Sequence, residues 1–443
     1  MKEKKNVSCP NGVSAAQRLE HALKNLNLDE LAGQTGFRRR APRKLSPLAF
    51  IQSCFLILLP DQASLRAWAL VIGLVRNLTY SKQALHKRLN GAALDFVQRV
   101  LHGTLLNLSL GAQRVLPPAL APFGRVLVQD SVLLTLPPKL VRLFPGSRNH
   151  TCRRQAQLRV QAWLDLKHER FVHFRHAAFA RNDVAAAGEG REILRRGDLL
   201  IRDLGYFVLG VLRQLQDRGV KFLTRLKIHV SLFDLRGRPL DLVRLLRGRN
   251  TLDREVLVGG EERLRVRLVA VRVGDQEASR RRRRVRRNHG YQPTKRYRFL
   301  LGWNIYITNV DAHTWSVREV GRVYGLRFRI ETTFRAWKQH FKMEDVPAGS
   351  RAQVEVLLYA RLLFITLFEV HYLAGWDYHI HKQSRPPISQ LKLAALMPIC
   401  LPLELLRQLQ PKVEQALAKQ VPYHCTYERR RKRKNFVERL QLG

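Results

Sequence analysis

Two apolar runs that each close on a carboxylate constrain this chain's fold more tightly than any other feature. They are Arg125-Val126-Leu127-Val128-Gln129-Asp130 and Asp198-Leu199-Leu200-Ile201-Arg202-Asp203. Apolar runs of this length form buried strands, and an acid at the edge of one must be paired, solvated or put to use. The first run continues extended over residues 131–136 until Pro137 and Pro138 stop it, since proline cannot donate to a sheet ladder. Residues 158–166 and 170–179 alternate around Lys167-His168-Glu169, a predicted hairpin, and residues 183–195 read as a helix. After the second run, Gly205-Tyr206-Phe207 leads into a helix ending near Arg218, and residues 220–226 give another strand. Three strands followed by strands alternating with helices predict an α/β fold, a mixed sheet with flanking helices.

The pattern changes on either side. Residues 1–115 carry helical spacing without β-branched alternation and predict a helical domain. Within it, Ser81 can cap a helix beginning Lys82-Gln83-Ala84-Leu85-His86-Lys87 that follows an apolar helix at residues 64–75. The pair reads either as a helix-turn-helix or as an ordinary hairpin with a solvated basic face. In the first case Lys82, Gln83, His86 and Lys87 face a DNA groove while Ala84, Leu85 and Leu89 pack inward. Residues 227–310 lose the helical period and predict a β-rich, basic insertion between the two parts of the α/β core, 116–226 and 311–375. Residues 280–298 hold ten Lys or Arg with Gly290 and Pro293 among them, a composition expected to form a flexible loop, either tracking phosphates or merely solvated. Residues 376–443 predict a helical region with a basic tail at 429–434.

Charge narrows the partners. With 79 Lys plus Arg against 35 Asp plus Glu, the net charge is +44, a field that gathers polyanions, double-stranded DNA first among them. Acidic lipid usually calls for an anchor or a span as well. The apolar run at 48–60 is too short to cross a bilayer, and that at 356–374 is interrupted by Arg361 and Glu369, so no membrane is expected. The start lacks a signal peptide's apolar core, and the five cysteines include no Cys-x-x-Cys pair. A cytoplasmic protein with reduced thiols and no structural zinc is expected.

Tyr324, Arg327, Glu331 and Lys338 stand at offsets of 0, 3, 7 and 14, which on one helix fall within about 60° of arc. Such a stripe either faces a cleft or is a solvent face stitched by charge pairs. The spacing Tyr-(2)-Arg-(3)-Glu-(6)-Lys resembles the signature of insertion-sequence transposases of the DDE class, IS-four type, whose catalytic core is ribonuclease-H-like. Asp130-Ser131 running to Leu136-Pro137, and Asp203-Leu204-Gly205-Tyr206-Phe207, match the family's other two acidic segments in the same order. The likeness covers roughly residues 123–372 and touches the helix at Ser81.

The resemblance implies a DNA transposase that binds the terminal inverted repeats of its element, cuts there and transfers the 3′ ends to target DNA. It implies Asp130, Asp203 and Glu331 as catalytic metal ligands, because phosphodiester cleavage by two hard cations needs oxygen ligands and one shared acid; Asp130 is the natural bridge. Two Mg2+ ions are expected, with Mn2+ able to substitute. Arg327, Lys338 and Tyr324 become phosphate contacts, and Trp303 either a platform for an extruded base or a core tryptophan. A homodimer on DNA is expected, acting at the bacterial nucleoid, with residues 354–373 packing inside the subunit and residues 388–417 offering an interface. The other reading is a catalytically inactive, transposase-derived DNA-binding protein.

Overall fold

The structure, a computed structural model, describes residues 25–39, 45–57, 64–76, 80–107, 117–148, 154–289, 292–347, 349–374 and 388–396, with Leu23, Trp376, Ile380 and Pro386 singly. Most of residues 388–417 and the basic tail at 429–434 therefore lie outside the described residues. The amino-terminal part is helical: α1 (Leu28–Gln34), α2 (Pro47–Leu56), α3 (Leu65–Arg76), α4 (Lys82–Arg88) and α5 (Gly91–Asn107). Their starts are written locally. The Ser46 and Ser81 hydroxyls accept from the amides of Ala49 and Ala84, satisfying donors that a helix start leaves open, and Pro47 fixes the first helical φ of α2. Phe37 stacks on Phe96 at 4.7 Å, and the Trp68 indole donates to Ser53 at 2.8 Å.

Next come β1 (Val126–Leu136), β2 (Pro145–Arg148), β3 (Arg154–Asp165), β4 (Arg170–Ala178), α6 (Asp183–Ala186), β5 (Leu199–Arg202), α7 (Leu209–Asp217) and β6 (Lys221–Arg225). β3 runs antiparallel to β1 from Leu127↔Asp165 to Leu136↔Ala156, and β4 antiparallel to β3. β5 lies parallel to β1 from Val126↔Leu199 to Gln129↔Arg202, and β6 parallel to β5. The order β4-β3-β1-β5-β6, three antiparallel strands and then two parallel ones, is the ribonuclease-H-like arrangement. Asp130 falls inside the long β1 and not at its end. Residues 183–195, expected as one helix, hold only the single turn α6 and a 3₁₀ turn at Arg191–Ile193, the two separated by Gly188 and the left-handed Gly190.

The chain continues through β7 (Leu232–Phe233), β8 (Pro239–Leu240), α8 (Leu242–Leu246), β9 (Thr251–Val258), β10 (Leu264–Arg272), α9 (Asp275–His289), α10 (Lys295–Leu300) and β11 (Trp303–Thr308). β11 pairs with both β6 and β10, so these strands prolong the same sheet. The arginine run expected as a flexible loop is helix α9. Arginine is a good helix former, Asp275 and Glu277 suit the positive helix start, and Glu277 pairs with Arg281 one turn on, at 2.9 Å. Arg281 is also tied to the wall of the sheet, donating to Asn304 Oδ1 at 2.8 Å and to the Trp303 carbonyl at 3.2 Å.

Last are α11 (Val317–Gly325), α12 (Phe328–Gln339) and α13 (Arg351–Leu367), which runs on into a π-type turn at Phe368–Ala374. Two cores form on opposite faces of the sheet. Val126 and Val128 join one and Leu127 the other, as the period of two requires. The first core also takes in the amino-terminal helices and α13. From Val354 to Leu367 that helix is buried at every position except the half-buried Tyr359, against α2 and α5, so it packs inside the subunit as expected. Among the described residues no helix is long and apolar enough to cross a membrane.

Candidate active site

The parallel register of β1 and β5 builds the site. Gln129 pairs with Arg202, which places the next residues, Asp130 and Asp203, on neighbouring strands. Asp203 is extended and opens a 3₁₀ turn at Leu204–Tyr206, and Asp130 accepts from the Ser131 amide at 2.8 Å. The Ser131 hydroxyl in turn donates to Asp183 at 2.7 Å, and Arg159 and Gln161 of β3 approach the same carboxylate. This network pins β1 one residue past Asp130.

Glu331 is delivered by α12. The rest of that helix is anchored, with Ile330, Phe334 and Trp337 buried and Arg329 donating to Gln390 at 2.6 Å. The single helix expected through residues 324–338 is broken: α11 ends at Gly325, α12 begins at Phe328, and Arg327 stands between them. The joint is a tight turn of i→i+3 bonds, Leu326 N to Val323 O at 3.0 Å and Arg327 N to Tyr324 O at 3.2 Å. Glycine, the weakest helix former after proline, stands at the break.

Arg327 is the hub. Its Nη1 donates to Asp130 Oδ2 at 3.0 Å, its Nη2 pairs with Glu331 Oε1 at 2.6 Å, and its Nε lies 3.8 Å from Asp203 Oδ1. The Tyr324 hydroxyl donates to Asp203 Oδ1 at 3.4 Å. Burial pushes the Asp130 carboxyl up from 3.8 to about 7; Arg327 and the Ser131 amide oppose this, and Asp203 and Glu331 add to it. For Arg327, burial pulls down, but Tyr324 and the three acids outweigh it and hold the guanidinium above its ordinary value. Burial likewise raises the Tyr324 phenol, so it stays a donor.

The donor set, three carboxylates without His or Cys, has the chemistry of a site for hard divalent cations. As they stand, the acids are held on different nitrogens of one guanidinium. Among the described residues no three Asp, Glu, His or Cys side chains are gathered closely enough to hold a metal.

The other expected residues fall differently. Lys338 is not brought to the acids: its ammonium donates to the Leu133 carbonyl at 2.6 Å and pairs with Glu344 at 3.0 Å. Glu344 also accepts the Thr135 amide at 2.8 Å. β5 pairs with β1 only as far as Gln129, so these two side chains satisfy the edge of β1 beyond it. Trp303 is 5% exposed, within the second core and tilted against Phe299 at 6.3 Å. Lys82, Gln83 and Lys87 are exposed and Leu85 and Leu89 buried as expected, whereas Ala84 is exposed. His86 Nδ1 meets Gln353 Nε2 at 2.7 Å, joining α4 to α13.

Beside the acids opens a cleft of ≈ 1460 Å³. Leu204 and Phe328 line its end next to Asp203 and Arg327, Arg280, Arg283, Arg284 and Arg287 of α9 line one side, and Ile228, Leu300 and Trp303 contribute apolar surface. Phe328, 49% exposed, escaped sequence reading; its signal was an aromatic placed directly after the stripe's arginine. Glu344 and Asp183 left no signal, because both act across long sequence separations.

A ribonuclease-H-like sheet carrying acids on its two central strands and on a following helix defines a class of nucleic-acid-processing cores. A family model described as "Transposase DDE domain" matches residues 121–367, more than half of the chain, and the chain belongs to that family. It is 27% identical over 402 residues to the transposase for insertion sequence element IS231D of Bacillus thuringiensis subsp. finitimus, covering 84% of this chain and 82% of that one. Against the transposase for IS231C of Bacillus thuringiensis subsp. berliner, identity is 25% over 362 residues, 76% of this chain and 75% of the other. A cryo-EM structure of the piggyBac transposase synaptic complex with hairpin DNA superposes at a TM-score of 0.47 and 10% identity, covering 95% of this chain and 87% of that one. The protein is thus a DDE transposase, a DNA-binding enzyme of a class that depends on divalent metal ions.

Proposed function

We propose that this transposase binds the terminal inverted repeats of its element, cuts a phosphodiester bond at each end and transfers the 3′ ends to target DNA. Asp130, Asp203 and Glu331 are the residues that hold metal. The observation that carries this reading is their meeting, from three distant parts of the sequence, around Arg327. Bound to these carboxylates, two Mg2+ ions, which Mn2+ can replace, supply Lewis acidity and activation of the attacking hydroxyl.

The chain's own residues do the rest. Asp130, the most enclosed of the three acids and the one on the central strand, would hold metal together with Asp203 and Glu331. Arg327 offers a planar fork to a phosphate, and the Tyr324 hydroxyl donates to the same group. Lys338 steadies the edge of β1 through the Leu133 carbonyl and Glu344. Trp303 forms part of the wall against which an unstacked base rests, and the arginines of α9 draw the backbone into the cleft. Lys82, Gln83, His86 and Lys87 contact the duplex away from the cut. Two subunits grip one end each, with residues 388–417 as their interface, at the nucleoid in the cytoplasm.

Full-length protein incubated with DNA carrying the element's ends, with and without Mg2+, tests this. Strand cleavage that requires the ion and all three acids supports it. A bandshift without cleavage at any divalent ion supports instead the inactive DNA-binding descendant.

A further inference from the structure

Arg327 does more than neutralise the acids around it. Each of its three nitrogens faces a different carboxylate, at 3.0 Å for Asp130, 2.6 Å for Glu331 and 3.8 Å for Asp203. A guanidinium so placed supplies the positive charge and occupies the space that a cation shared by the same three acids needs, so the two compete. The acids are correspondingly too spread to form a metal cage as they stand. The side chain also has somewhere to go. It springs from the joint between α11 and α12, where Ile330 N bonds Arg327 O at 3.2 Å in the short i→i+3 pattern. It lies beside the rings of Tyr324 and Phe328, at 5.9 and 5.4 Å, and Phe328 lines the arginine-bordered cleft. A DNA phosphate entering that cleft offers the fork an anion equal in kind to those it leaves.

We propose that Arg327 is a latch that makes metal and DNA bind together. Without DNA it holds Asp130, Asp203 and Glu331 and keeps divalent cations out; a backbone phosphate draws it away, and the acids close on metal. The inference rests on the reading of those three residues as metal-holding acids. By linkage the effect is reciprocal: DNA tightens metal binding and metal tightens DNA binding by the same factor.

The test uses Mn2+ as probe, its free concentration followed by electron paramagnetic resonance, with the full chain and no DNA. Arg327→Gln should bind Mn2+ about tenfold more tightly than the parent, and Arg327→Lys, which keeps the charge without the fork, should lie between. A mixed-sequence 30-base-pair duplex should tighten Mn2+ binding to the parent protein and leave that of Arg327→Gln unchanged; the parent's arm needs no variant to fold. Equal or weaker binding by variants whose thermal unfolding matches the parent overturns the latch and leaves the acids as metal ligands. No Mn2+ binding by any of the proteins, with or without DNA, overturns both the latch and the assignment of the acids.

Discussion

The acid cluster stands next to the cleft that helix α9 borders, and the two handle charge in opposite ways. Around Arg327 the charges are held close together: three carboxylates share one guanidinium whose side chain is 11% exposed. On α9, Glu277 takes Arg280 at 2.6 Å and Arg281 at 2.9 Å, and among the described residues no carboxylate pairs with Arg282, Arg283, Arg284 or Arg287. The enclosed pair of Asp130 and Arg327 must be compensated locally, which ties each to its partner. Exposed charges can stay in surplus, because water and counterions hold them. The first arrangement suits bond-breaking at one phosphate, and the second suits gathering many phosphates without regard to sequence.

The largest effect follows from the balanced side. Asp130→Ala, Asp203→Ala or Glu331→Ala should each lower end cleavage by at least about a thousandfold, the loss of several kcal/mol of transition-state stabilisation. DNA affinity should change little. Gel assays of cleavage and of binding on the same preparations check both. A variant that cleaves normally removes that acid from the site and breaks the contrast between the two regions.

On the surplus side, changing Arg282, Arg283, Arg284 and Arg287 together to Gln should weaken DNA binding by roughly a hundredfold and reduce the slope of log affinity against log salt by about three or four. Cleavage by the DNA that remains bound should persist. Affinity measured by fluorescence anisotropy across a salt series decides; an unchanged slope means that α9 does not touch DNA.

The two regions were also unequally legible. β1 and β5 could be read because continuous apolar runs leave few alternatives to a buried strand, and the acids stood out because each closes such a run or sits at a fixed spacing from a tyrosine and an arginine. The break at Leu326 and Arg327 was not legible, since offset arithmetic assumes one unbroken helix and cannot see the pull of three acids on the side chain at the joint. α9 was misread for a related reason. A charge run looks like a solvated loop until the wall that receives Arg281 is known, and Asn304 and the Trp303 carbonyl are brought there by sheet pairing. Trp303 itself sits in a core that only the joining of β11 to both β6 and β10 creates.

A pH series sharpens the comparison. Asp130 is pushed up to about 7, chiefly by burial, from 3.8. A carboxyl whose folded value is raised favours the fold at low pH, and that contribution is lost as pH climbs from about 4 through about 7. Asp130→Asn removes the ionisation, so at pH 8 the variant should be more stable than the parent by on the order of 2 kcal/mol. Near pH 4 the difference should vanish. Thermal melts of metal-free protein across this range test it, and a variant that melts below the parent at pH 8 shows Asp130 to be stabilised as the anion. Replacing Arg283 by Gln should give no such pH dependence over the same window.

Lys338 decides where the boundary between the two regions lies. As a phosphate contact it would belong with α9, its charge held in reserve for DNA. The geometry gives it partners of its own: the Leu133 carbonyl at 2.6 Å and Glu344 at 3.0 Å, with Glu344 also receiving the Thr135 amide. Both groups close an edge of β1 that β5 leaves unpaired beyond Gln129. The Lys338 side chain is 38% exposed, so the ion pair itself is screened and contributes little; the bond to a strand carbonyl is worth about 1 kcal/mol. Lys338→Met and Glu344→Gln should therefore each lower stability by about 1 kcal/mol, and the double variant should lose less than the sum, because each removes the other's partner. Denaturant titration of the four proteins measures that coupling. Additive losses, or a Lys338→Met protein as stable as its parent whose salt slope for DNA binding falls by about one, would move Lys338 across to the surplus side and leave the β1 edge to Glu344 alone.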